Sequence, residues 1–245
     1  MLITLKKMMT LISLIFLGFA ASQSAQATLL LAGETIDVTA TTFAEQPRLG
    51  GSVLHDEIID DFAIIGGNPF FQVGVAVQNR VVRSTMTGEL IFSPRIISLF
   101  NNTSGNFLID SATIFGYSDF SLDVNYRTDG LGDRGPNQAS RSADGDTLNF
   151  NFFTPLVVSN LFPNPQEDSY FFSLYSNATS YSLDGRMIIR GRHLDYPGES
   201  FTLSYANIAI PTIAQVSSPA IFVLFFCALV FTLRSKLFDK TYVRR

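Results

Sequence analysis

Across residues 28–215, apolar side chains recur at every second position and never sustain the spacing of a helix face. Phe120, Leu122, Val124 and Tyr126 alternate with Ser121, Asp123, Asn125 and Arg127. Leu148, Phe150 and Phe152 alternate with Thr147, Asn149 and Asn151. Phe201, Leu203 and Tyr205 alternate with Thr202 and Ser204. A period of two throws successive side chains to opposite faces of an extended chain, so each run offers one face to a core and one to water. Further strands are predicted at Thr35–Thr42, Glu57–Ile65, Phe70–Gln78, Glu89–Phe92, Phe107–Phe115, Ser169–Tyr175 and Met187–Gly191. Turn residues separate them: Gly66-Gly67-Asn68-Pro69, Asn101–Gly105, Pro163-Asn164-Pro165 and Pro197-Gly198. About ten short strands at this spacing predict an all-β fold, a single antiparallel β-sandwich of jelly-roll type.

Two local readings refine this. Asp184-Gly185 stands between two β-rich runs and predicts a tight hairpin turn pairing Ser180–Leu183 with Arg186–Arg190. The stretch Thr128–Asp146 is polar and glycine-rich, and is read as an irregular loop that does not pack. Phenylalanine is abundant (23 residues) and tryptophan absent, so the core is expected to be built on Phe with Ile, Leu and Val. No repeat of 20–50 residues is visible.

Charge is unevenly spread. All four lysines (Lys6, Lys7, Lys236, Lys240) lie near the ends, and residues 28–215 carry 20 acids against 10 arginines, a net charge near −10. Nucleic acid is held by cationic contacts to phosphate, and no basic patch exists to make them, so nucleic acid is not an expected partner. The one cysteine, Cys227, lies outside this region, so disulfides do not hold it together.

Both ends read as sorting signals. Residues 1–27 have the parts of a secretory signal peptide: Lys6 and Lys7, the apolar stretch Met8–Ala21, and the small-x-small site Ala25-Gln26-Ala27, with a mature chain expected to start at Thr28. The sandwich is expected over 28–209, a linker with sorting motif over 210–218, a single transmembrane helix over 219–238 and a basic cytoplasmic tail over 239–245. Ala220–Leu233 is uncharged but short of the ~20 residues of a full span. Pro219 suits a first helical turn, and Arg234 and Lys236 can snorkel to extend the span to Phe238. The basic tail stays cytoplasmic by the positive-inside rule, so the middle of the chain is pushed across the membrane. A lipid-anchor signal would end in its apolar stretch, whereas Arg244-Arg245 follow it here. Ile210-Pro211-Thr212-Ile213-Ala214 is not a Gram-positive sortase motif.

Val216-Ser217-Ser218-Pro219, the brief apolar helix Ala220–Leu233 and Arg234-Ser235-Lys236 follow one another in an order that resembles a PEP-CTERM sorting domain. The usual motif of that family is Val-Pro-Glu-Pro, and serines stand here at its two central positions. The resemblance covers about 30 C-terminal residues and implies an exosortase, a membrane-embedded cysteine transpeptidase of Gram-negative bacteria, as partner. It implies processing of the tail and release or transfer at the cell surface, often alongside exopolysaccharide.

Chemistry-bearing constellations are sparse. No Gly-x-Ser-x-Gly elbow, His-Glu-x-x-His, paired cysteine or phosphate-binding glycine loop occurs. His55 and His193 are too few for zinc and are read as surface residues. Asp129, Asp133, Asp144 and Asp146 are the best oxygen donors for calcium, although the full calcium-loop pattern is missing. Asp56, Glu57, Asp60 and Asp61 could serve as paired carboxylates for glycoside hydrolysis, but fit an aggregation-resisting strand edge better. Alternation places Glu57 and Asp61 on one face with Ile59 between them. Tyr117, Tyr126, Tyr170, Tyr175, Tyr181, Tyr196 and Tyr205 are candidates for a sugar-stacking platform. The expected function is that of an exported, non-enzymatic surface or exopolysaccharide-matrix protein, structural or adhesive, with no cofactor. The alternatives are a carbohydrate-binding module and a simple, unprocessed membrane-anchored envelope protein.

Overall fold

The computed structural model describes residues 28–68, 70–99, 103–160, 166–196 and 198–213. The expected signal peptide with Ala25 and Ala27, the motif Val216–Pro219 and the helix over 219–238 lie outside the described residues. Among the described residues no helix is long and apolar enough to cross a membrane.

The chain folds almost entirely as antiparallel strand. In order these are β1 (Thr28–Leu29), β2 (Thr35–Asp37), β3 (Ala40–Thr41), β4 (Gly51–Ile64), β5 (Gln72–Ser84), β6 (Leu90–Phe92) and β7 (Arg95–Ser98). Then follow β8 (Asn106–Phe115), β9 (Leu122–Arg127), β10 (Gln138–Arg141), β11 (Thr147–Ser159), β12 (Phe171–Ser176), β13 (Ser180–His193) and β14 (Ser200–Thr212). An eight-stranded sheet runs β1-β9-β12-β6-β5-β4, with β3 beside β9 and β7 beside β5; a six-stranded sheet runs β14-β13-β8-β11-β10-β2. The short β3–β9 pairing is parallel, as is the isolated bridge between Arg134 and Ser169.

The period-two runs bury one face of each sheet in a shared core. Val73, Val75, Val77 and Val81 of β5, with Val124 of β9 and Leu174 of β12, meet Ile109 and Ile114 of β8, Phe150 of β11, Met187 and Ile189 of β13 and Leu203 of β14. Each such side chain contributes about 1.5–3 kcal/mol when fully removed from water. Phenylalanines bridge the layers, as Phe150 does against Phe172 with ring centroids 4.7 Å apart. Polar ties cross between the sheets: the Tyr205 hydroxyl on β14 donates to the Val75 carbonyl on β5 at 2.8 Å, and the buried Asn79 of β5 donates to the Asn207 carbonyl at 3.0 Å and accepts from the Ala209 amide at 3.1 Å.

Three expectations are corrected. The Asp184-Gly185 hairpin does not form; β13 runs unbroken from Ser180 to His193, with register shifts on either side of Gly185 against β14. The glycine serves close approach instead: a Cβ there would lie 2.3 Å from Ile210 Cγ2 and 2.6 Å from the Ile208 carbonyl oxygen. The polar stretch Thr128–Asp146 does pack, because β10 inserts between β11 and β2 and buries Ala139 and Arg141. The linker expected from residue 210 begins later, since β14 continues through Thr212 against Ser180–Ser182.

Candidate functional site

The outer face of the eight-stranded sheet carries the most developed side-chain array. Because Leu122, Val124, Phe172 and Leu174 point into the core, alternation turns Asp123, Asn125 and Arg127 of β9 and Phe171, Ser173 and Tyr175 of β12 outward. The register sets them opposite one another: Phe171 faces Arg127, Ser173 faces Asn125 and Tyr175 faces Asp123. Arg80 and Val82 of β5 extend the same face, with Val82 paired to Ile91 and Ile91 to Tyr175. A 3₁₀ turn at Pro47–Leu49 and the loop after β9 rise over this floor. Between them lies a cleft of about 200 Å³, with Arg80, Val82, Ser93 and Phe171 below and Leu49, Arg127, Gly130 and Leu131 at the sides.

Arginines dominate the array, and each is pinned by a carboxylate. Arg80 donates through Nε and Nη2 to Asp56 Oδ2 at 3.2 and 2.7 Å, while Gln78 donates to Asp56 Oδ1 at 2.8 Å. Partial burial works to raise the Asp56 carboxyl, but the Arg80 and Gln78 hydrogen bonds outweigh it and hold it below its ordinary value. Arg127 grips Asp129 with two parallel bonds of 2.9 Å, and the Phe43 amide adds a third at 2.7 Å. Those Arg127 bonds, opposed by partial burial, lower the Asp129 carboxyl as well. Arg48 binds Asp123 at 2.8 Å, and Arg95 binds Asp168 at 2.5 Å.

Aromatic rings fix the guanidinium planes further. Phe171 lies between Arg80 and Arg95, whose guanidinium carbons sit 4.3 and 5.5 Å from its centroid. Arg48 stacks on Tyr175 at 4.4 Å. The Tyr175 hydroxyl meets Thr87 at 2.9 Å and also Glu89; burial, then the Glu89 contact, push its pKa upward. Four arginines thus face four aspartates, so each guanidinium charge of the array is neutralised by its own carboxylate on a strongly anionic body. Two hydroxyls remain: the Ser93 Oγ has no hydrogen bond among the described residues, and the buried Ser173 Oγ is without a partner there.

The residues singled out in the sequence are mostly dispersed. Asp56 alone of the β4 acids joins the array; β4 is an edge strand, and Ile59 packs inward between Glu57 and Asp61. Three of the four candidate calcium ligands are engaged separately through their carboxylates. Asp129 takes Arg127, Asp133 accepts from the Asp168 amide, and Asp144 accepts from Ser142 and the Asp146 amide. Among the described residues no three His, Cys, Asp or Glu side chains converge as metal ligands.

The tyrosines form no common platform. Tyr117 and Tyr205 are buried in the core, Tyr126 stacks on Tyr170 with the rings 8° from parallel, and Tyr196 is exposed elsewhere. His193 corrects the surface reading. It is 1% exposed, accepts the Asp195 amide at Nδ1 and lies edge-on among Phe71, Phe107 and Tyr196. His55 is half-buried, with Nε2 3.3 Å from the Asn79 amide nitrogen and 3.6 Å from Glu57.

The residues of the candidate site that sequence reading missed are the arginines. A lone Arg on the polar face of a strand carries no signal of its own; Arg127 alone stands in an alternating run, and Arg80 lies beyond the strand expected over Phe70–Gln78. No family model, curated protein or solved structure matches this chain.

Proposed function

We propose that this chain is an exported envelope protein of a Gram-negative bacterium, with a structural or adhesive role at the cell surface or in an exopolysaccharide matrix. The observation that carries the reading is the charge layout: a lysine-free body near −10 flanked by two apolar segments, each with its own cations. Such a body stays soluble outside the cell, and each flanking segment has the composition of a membrane-directed signal. Val216, Ser217, Ser218 and Pro219 are the residues an exosortase-type transpeptidase would read, with Ala25 and Ala27 framing leader removal. Its partners are that enzyme, the membrane through the C-terminal helix, and exopolysaccharide; the reading includes no catalysis.

Jelly-roll winding belongs to the same proposal. From β8 to β13 the chain changes sheets at every step but the β10–β11 hairpin, as such winding requires, while β8 between β11 and β13 sets an order of its own.

Mass spectrometry of the mature protein from its host tests the reading. A chain starting at Thr28 and ending near Ser217 or Pro219 supports export and processing. A chain ending at Arg245 replaces processing with a permanent anchor. The intact polypeptide free in the cytosol, leader attached, overturns the proposal.

A further inference from the structure

We infer that the cleft on the outer face of the eight-stranded sheet is a binding site for a single uncharged sugar ring of a glycan chain. The inference deepens the adhesive reading, on which it rests for the presence of glycan. Its chemistry comes from the cleft alone.

Charge decides the class of ligand. Arg80 and Arg127 would suit an anion if they were free, but Asp56 and Asp129 already neutralise them at 2.7–3.2 Å. The surrounding body is anionic, so a uronate or phosphate would meet no net attraction and would have to compete with two established carboxylates. A divalent cation is equally unsuited, since no three acidic side chains converge among the described residues. A neutral ligand avoids both penalties.

Shape and hydrogen bonding narrow it further. The lining combines apolar groups, Val82, Leu49 and Leu131, with polar ones, Arg80, Arg127 and Ser93. A pyranose has the matching combination, with C–H groups on its faces and hydroxyls at its edge. A guanidinium held by a carboxylate is a rigid donor beside a rigid acceptor. In the cleft such a guanidinium can donate to one hydroxyl of a vicinal diol while the Ser93 hydroxyl meets the next, with no charge left over. Both cleft arginines use Nε and Nη2 on their aspartates, and Nη1 of each has no protein acceptor among the described residues. These are the groups left to bind. Stacking on Phe171 and the two-pronged grip of Asp129 hold the two planes in advance, which lowers the ordering cost of binding. At about 200 Å³ the cleft is smaller than the roughly 300–1,000 Å³ of drug-sized pockets, and accepts one ring rather than a run of them.

The test uses the full-length protein in detergent on an array of neutral oligosaccharides and their uronate-containing counterparts. Expected is binding confined to uncharged glycans and little changed between 50 and about 500 mM salt, where Coulombic attraction would be screened. Leu131→Asp, at an exposed loop position, should weaken it at least tenfold with the thermal midpoint unchanged; Arg127→Gln should weaken it as much, with a lowered thermal midpoint because Asp129 loses its partner. Binding confined to acidic glycans overturns the inference while leaving the adhesive reading in place. Binding that survives Leu131→Asp puts the site elsewhere and overturns it too. No binding to any glycan overturns it, whereas the mature termini decide the export reading independently.

Discussion

Arg141 shows how much one side chain can hold. It is 8% exposed and has no carboxylate partner among the described residues; its guanidinium donates instead to four backbone carbonyls, those of Gly145, Leu30, Tyr117 and Phe120, at 2.7–3.2 Å. Burial lowers its pKa, yet it stays a cation because an arginine starts so high. The four carbonyls come from three segments, so one planar fork ties the stretch after β1, the turn after β8 and the β10–β11 turn together. Arg141→Ala leaves those acceptors unpaired and should cost about 3 kcal/mol or more in urea unfolding. Arg141→Lys should recover only part of this, because an ammonium cannot span four acceptors. An alanine variant of unchanged stability would sink this account.

Asp129 offers a pH test at the same scale. Its carboxyl is lowered chiefly by the Arg127 hydrogen bonds, against partial burial. A folded pKa below the unfolded one means that its contribution is complete above the unfolded value of about 3.9 and is lost as pH falls through the folded value. Asp129→Asn should therefore flatten the fall in stability below about pH 4, and an acid-limb slope identical to that of the natural chain would disprove the link.

Strands were legible wherever one face met the core and the other met water. Phe120–Arg127, Thr147–Phe152 and Phe201–Tyr205 announce themselves by alternation, and strands form there, the first only from Leu122 on. Reading failed where a turn residue serves packing. Asp184-Gly185 has the composition of a hairpin turn, but Gly185 is needed because Ile208 and Ile210 press against its Cα. Gly185→Ala should accordingly cost about 2 kcal/mol, measured by thermal or urea unfolding, whereas a true turn position would tolerate the change. Gly132, at φ 132°, is likewise pressed on by the Ser169 carbonyl, where a Cβ would lie 2.4 Å from its oxygen. Its polar neighbourhood disguised a packed segment as a loop. The edge strand β4 exposes Ile58, Phe62 and Ile64. Its interleaved acids deter edge-to-edge pairing by like-charge repulsion. Ile58→Lys should shift stability by less than about 0.5 kcal/mol while slowing aggregation on heating, followed by light scattering. Faster aggregation would mean that the acids do not guard this edge.

For the whole molecule, the sandwich was readable because its core is assembled from local patterns, whereas the cleft was not, because it is assembled from register. Arg80, Ser93, Arg127 and Phe171 come from four stretches of chain whose adjacency depends on the order β9-β12-β6-β5. No spacing within any one strand encodes that order. The shared core also sets the alkaline limit of the fold. Tyr117 is sealed in it and Tyr205 nearly so, and burial raises both phenols well above the ordinary value of 10, with Asp61 and Asp60 adding to the rise at Tyr205. A raised folded pKa gives stability that is fully present below the unfolded value and is lost as pH climbs past it, since the unfolded chain then gives up protons that the folded one retains. Two of the eight tyrosines should therefore ionise only as the sandwich opens. Absorbance at ~295 nm should rise first for the accessible phenols near their usual pKa of about 10. It should rise again together with the loss of the β-sheet circular dichroism signal. Tyr205→Phe removes one late-titrating group and the hydrogen bond to Val75, at a cost of about 1 kcal/mol. A single smooth titration of every tyrosine below the unfolding pH would mean that the two sheets do not seal their core from water.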